Sequence, residues 1–170
     1  MAERYCHVRR TTALRGTDGR RLDAVGRIKV STLIDASPGE VWRSIEDVGS
    51  HVEWMGDAEA IRFLSRRRQG TGTRFECDTV VGPLRLTDVM EITEWKPRRS
   101  MGVRHSGLVT GSGRFTLRRA RGGRTRFTWD ERLRFPWWMG GPFGAVLGAE
   151  VLRFVWNGNL RRLRRRVERR

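Results

Sequence analysis

Apolar and polar residues alternate from Gly26 onward: Ile28, Val30, Thr32 and Ile34 share one parity, the signature of a half-buried strand. The pattern then changes. Ser37 stands where a helix N-cap belongs, Pro38 at the first helical position and Glu40 three residues after the cap, so a capping box and a proline start mark one boundary. Val41, Trp42, Ile45 and Val48 give this helix an apolar stripe. Residues 49–57 predict a second short helix or turn. Six further strands are expected at 60–66, 73–80, 84–95, 100–105, 113–119 and 125–135, divided by short gaps rich in Gly and Pro, such as Gly70-Thr71-Gly72, Gly82-Pro83 and Gly122-Gly123, as consecutive antiparallel hairpins require. A last helix is predicted over 142–168, where Leu152, Trp156, Leu160, Leu163 and Val167 recur at spacings of four, four, three and four. A seven-stranded antiparallel sheet must bury one face, and this helix is the only apolar element long enough to cover it.

Length adds that 170 residues suit one domain with a sizeable core. Residues 1–24 are polar and Arg-rich and are expected to form an extension, with at most a weak strand and a turn at Thr17-Asp18-Gly19. The opening MAERYCHVRR has no charged region followed by an apolar one, so no secretory signal is expected and the cytoplasm is the expected compartment. Cys6 and Cys77 are too few for a disulfide framework and are not spaced as a metal site; neither a metal nor a cofactor is expected.

The formal charge of +16 is almost all arginine, since only Lys29 and Lys96 are lysines. The last ten residues hold seven Arg against one Glu, and Arg66, Arg67 and Arg68 form a second cluster at a hairpin turn. Arg74, Arg85, Arg104, Arg114, Arg118, Arg126 and Arg132 mostly alternate with apolar residues, which makes them the solvent side of the strands. Nucleic-acid binding is therefore the less favoured use of the charge, because its footprint would interleave basic residues with stacking aromatics on one face.

Residues 135–149 carry no charge. Pro136, Gly140, Gly141 and Pro142 break the stretch, and Glu150 and Arg153 follow it, so a membrane span is not expected. Two uses remain open for Trp137, Trp138 and Met139: a loop folded over the sheet end, or a lid that dips into an anionic membrane surface beside the arginines.

The element order, IDASPGEVWRSIEDV, the Trp54 that follows, the WKP turn at 95–97 and the late GSGRFTLRRARGGRTRFTW together resemble the SRPBCC, or START-like, superfamily of polyketide cyclase/dehydrase and lipid-transport type. The resemblance covers about 26–168. It implies an α+β helix-grip fold over 25–170: a seven-stranded curved antiparallel sheet wrapped around a long C-terminal helix, with two short helices after strand 1. It further implies a deep pocket between sheet and helix for an apolar or amphipathic small molecule. Function does not follow from fold here, because the superfamily shares a cavity and not a reaction.

Strand parity selects the residues that would line such a pocket. Phe75 and Cys77 share the less charged face of their strand, and Leu86, Asp88 and Met90 that of the next. Val103 and His105, then Phe115, then Trp129 and Glu131, continue the inward set, with Leu152 and Trp156 from the helix and Trp54 near the mouth or in the core. Asp88, His105 and Glu131 are the ionisable members and the candidate acid–base or head-group contacts, since buried charge must be paired or shift its pKa. A bulge or a position at a strand end would turn them to water instead. Aromatase/cyclase members carry a Trp, Ser and Arg constellation on the strand before the WKP-like turn; the corresponding residues here are Val89, Glu91 and Thr93, and the arginine is missing. Three readings stay open: a carrier of a lipid, isoprenoid, quinone or polyketide-like molecule; a cyclase/dehydratase-like enzyme; and a basic protein contacting RNA, ribosomes or an anionic membrane.

Overall fold

The computed structural model describes residues 24–135 and 141–169. The expected N-terminal extension, with Cys6 and His7, and the proposed lid of Trp137, Trp138 and Met139 lie outside them. Strand β1 (Ala24–Ile34) leads through the N-cap Ser37 into α1 (Pro38–Arg43). The capping box forms as expected: the Glu40 amide donates to Ser37 Oγ and the Ser37 amide to the Glu40 carboxylate, at 3.4 and 2.7 Å.

Helix α1 is shorter than its apolar stripe. Its last turn tightens as the Ser44 amide bonds to Val41 O, and Asp47 then caps a separate 3-10 helix (Val48–Glu53) by accepting from the Gly49 amide. Ile45 and Val48 are nonetheless fully buried. They reach the core from a turn and from the second helix.

Six more strands follow: β2 (Ala58–Phe63), β3 (Arg74–Val81), β4 (Leu84–Lys96), β5 (Ser100–Ser106), β6 (Thr110–Arg119) and β7 (Thr125–Phe135), then helix α2 (Gly141–Glu168). The sheet order is β1-β7-β6-β5-β4-β3-β2 and every pairing is antiparallel. This is the helix-grip fold, with α2 packed on the sheet. Two strand limits differ from expectation by three residues, the others by two or fewer. Strand β2 stops at Phe63, because the Leu64 and Ser65 amides both turn to Arg74 O, and this leaves Arg66–Arg68 in the connection. Strand β6 begins three residues early and takes in Gly111, whose missing side chain hid its strand character.

The alternation sorts the charge as expected. Arg74, Arg85, Arg104, Arg114, Arg118, Arg126 and Arg132 are all exposed, and several pair across strands, as in Arg104–Glu91 and Arg114–Glu94. Such exposed pairs each contribute little. On the inner face lie Ile28, Phe127, Ile92, Trp54, Leu160 and Leu163, each at most 1% exposed. Among the described residues, no helix is long and apolar enough to cross a membrane.

One turn carries backbone strain. The Arg99 amide bonds to Lys96 O across Pro97-Arg98, and Arg98 adopts φ 63°. A Pro at the second position with positive φ at the third is the type II pattern, which favours glycine at the third. Arg98→Gly is therefore expected to raise stability by about 0.5 kcal/mol, once the greater freedom of glycine in the unfolded chain is offset. A urea denaturation midpoint checks this.

Candidate functional site

The inward side chains of β3 to β7 do not fill the space beneath α2. A cavity of about 310 Å³ remains, bounded by the sheet, by α2 and by the segment running from the 3-10 helix into β2. Phe75, Cys77, Leu86, Asp88, Met90, Val103, His105, Phe115, Trp129, Glu131, Leu152 and Trp156 all line it. Trp54 does not. Its ring is 1% exposed and packs edge-on against Trp129 at 6.2 Å and tilted against Phe115 at 6.1 Å, which places it behind the wall. Leu84 and Val151 also line the cavity yet are 36% and 50% exposed, so they mark its mouth.

The wall is mostly apolar, with one polar pole. Asp88, His105 and Glu131 are each less than 10% exposed, so no bulge turned them outward. Their meeting depends on a glycine. His105 lies on β5 and Glu131 on β7, with β6 between them, and Gly113 pairs directly with Glu131. A Cβ at Gly113 would sit 2.6 Å from Glu131 Oε1. The bare position lets the Glu131 side chain cross β6 until Oε1 stands 3.6 Å from His105 Nε2, an ion-pair distance. The same Oε1 accepts from Trp129 Nε1 at 2.8 Å, and the Trp129 ring stacks on Trp156 of α2 at 4.4 Å.

Burial pulls the His105 pKa down, but the Glu131 carboxylate, aided by Asp88, outweighs it and leaves the pKa raised. Burial raises Asp88 above the usual carboxylate range, only partly opposed by His105 and by the backbone of Leu108 and Val109. The Cys77 thiol is pushed up to about 11, chiefly by burial, so it is not a thiolate at neutral pH.

Sequence reasoning missed a second polar group in the wall. Asp57, in the turn before β2, is 8% exposed and accepts from Asn159 Nδ2 at 2.6 Å and Trp156 Nε1 at 3.3 Å. Burial raises its pKa against those two hydrogen bonds. The available signal was Asn159, a polar residue inside the apolar stripe of α2, which implies a buried partner. His51 is also buried and lines the cavity, with its Nε2–H donating to Ile45 O at 2.7 Å. Val89 and Glu91 fall on the outer parity of β4, where Glu91 pairs with Arg104 at 3.2 Å, and Thr93 is exposed. None of these three supplies the cavity with the missing arginine. Among the described residues, no cluster of His, Cys, Asp and Glu is arranged to hold a metal.

A family model described as polyketide cyclase/dehydrase and lipid transport matches residues 26–168. No curated protein matches the chain. Among solved structures the chain is similar to TTHA0849 from Thermus thermophilus, at TM-score 0.73 and 18% identity over 83% of this chain and 96% of that one. It is also similar to the Zhui aromatase/cyclase from a Streptomyces species, at 0.72 and 17% over 86% and 95%. A START superfamily protein from Mycobacterium smegmatis gives 0.70 and 11% over 84% and 97%. At these identities the likeness is one of fold.

Proposed function

This chain belongs to the polyketide cyclase/dehydrase and lipid transport family, and from that premise we propose that it binds an apolar small molecule in the space between the sheet and α2. The observation that carries the reading is the cavity of about 310 Å³ with a mostly apolar wall and the cluster of Asp88, His105 and Glu131 in it. Such a site holds its guest by apolar burial and orients it by a few polar contacts. A guest that buries roughly 300 Å² of apolar surface gains about 7 kcal/mol before the costs of association. Its body lies along Phe75, Met90, Val103 and Leu152, and it enters past Leu84 and Val151.

An enzyme of cyclase/dehydratase type is the second reading, favoured by one observation: a buried histidine whose pKa is raised beside a carboxylate can serve as a general acid. It lacks the arginine that the aromatase/cyclase resemblance calls for. Native mass spectrometry of protein purified from its own cells separates the readings. A carrier retains an apolar molecule released by organic solvent, and Asp88→Asn and His105→Ala change its occupancy alone. An enzyme turns the molecule over, and the same substitutions abolish turnover. Protein that carries no small molecule and takes up none from a cell lipid extract would refute both.

A further inference from the structure

Among the described residues, two buried atoms of the polar pole have no hydrogen-bond partner: Asp88 Oδ1, and His105 Nε2, which has the 3.6 Å ion pair to Glu131; the two residues are 5% and 8% exposed. Both residues line the cavity. They are diagonal neighbours on one face, because Met90 pairs with His105 and Val89 with Ser106. The other titratable groups in the wall are already engaged or inert. Glu131 Oε1 holds Trp129, Asp57 holds Asn159 and Trp156, His51 donates to Ile45 O, and Cys77 stays a thiol. Among the described residues, no guanidinium answers the carboxyls. Arg114 also lines the cavity, but its guanidinium is spent on Glu94 at 2.7 Å, at an exposed position.

We propose that this pole selects an apolar guest ending in a hydroxyl and rejects one ending in a carboxylate. The inference rests on the reading of the cavity as a guest site. A hydroxyl is the smallest group that donates to Asp88 Oδ1 and accepts from His105 Nε2 at once. An ether accepts only, and leaves Asp88 Oδ1 unsatisfied. A carboxylate cannot donate and meets Asp57, Asp88 and Glu131 in a confined apolar space, with a single paired imidazole to offset them. The exterior favours the opposite order, since a chain of net charge +16 draws acids to its surface. A preference for the alcohol therefore has to come from the cavity.

The test is competition by octanol, octyl methyl ether and octanoate against an apolar fluorescent probe on the full chain at neutral pH. Octanol is expected to bind at least about tenfold more tightly than either of the others. Asp88→Asn is expected to shrink the alcohol-over-carboxylate ratio by strengthening octanoate. Octanoate binding as tightly as octanol in the parent chain overturns the selectivity while leaving the guest site standing. An unchanged ratio in a folded Asp88→Asn chain overturns the role given to Asp88. If neither the probe nor any of the three compounds binds, the guest site itself is refuted, and the selectivity with it.

Discussion

Asn159→Leu is expected to lower the stability of the fold by about 3 kcal/mol at neutral pH. Asn159 is fully buried in α2, and its amide ties that helix to the turn at Gly56-Asp57. Nδ2 donates to Asp57 at 2.6 Å, and Oδ1 accepts from the Gly56 amide at 3.0 Å and from Arg162 Nη1 at 2.9 Å. Leucine fills the space but takes from the Asp57 carboxyl its shorter side-chain bond and leaves it the longer one from Trp156. Removing both partners should cost less than removing one, so Asp57→Leu combined with Asn159→Leu is expected to recover part of the loss. The cost should also shrink in acid. Asp57 already has a raised pKa, losing Asn159 raises it further, and a protonated carboxyl needs less compensation. Urea denaturation at two pH values measures all three effects. A loss below about 1 kcal/mol for the single substitution would remove the network from the account of stability.

The second large effect is acid destabilisation through His51. Burial outweighs the hydrogen bond to Ile45 O and pushes its pKa down to about 4. The unfolded chain takes up this proton near pH 6.5 and the folded chain does not, so stability is intact above that value and falls as pH drops towards 4. The full loss is about 3 kcal/mol. His105 titrates with the opposite sign and above this window: its raised pKa means that stability is lost as pH rises through it. Asp57 and Asp88 also have raised pKa values, so they oppose the loss at the acid end. The fall in stability as pH drops below about 6.5 is therefore expected from His51, with the two carboxyls opposing it. His51→Gln, which keeps a donor for Ile45 O, should flatten it. Chemical denaturation across that range is the check; a slope retained in the variant would assign it to another group.

The elements were legible because each carries its own local signal. Ser37, Pro38 and Glu40 fixed the start of α1 without tertiary help, and the period-2 strands β3 to β7 placed Asp88, His105 and Glu131 on the inner face. What stayed hidden depends on neighbours distant in sequence. The reach of Glu131 to His105 needs a glycine on the intervening strand, and no spacing within β7 reveals it. Asp57 is polar by type and turn-like by context, yet Asn159, 102 residues later, holds it inside. Trp54 has the same local signature whether it faces a cavity or backs its wall. Only the positions of Phe115 and Trp129 decide that it backs the wall.

Everything functional depends on the room under α2 being available to a guest. The most direct measurement is calorimetric binding of an apolar guest to the parent chain and to Val103→Trp, whose added ring projects from β5 into the cavity. The parent is predicted to bind with a negative heat-capacity change. The variant should lose about 100-fold in affinity, equivalent to roughly 110 Å² of lost apolar contact, while its melting temperature holds or rises. Undiminished binding by Val103→Trp, or a much lower melting temperature with binding unchanged, would contradict the account: the guest would lie elsewhere and the interior would already be full.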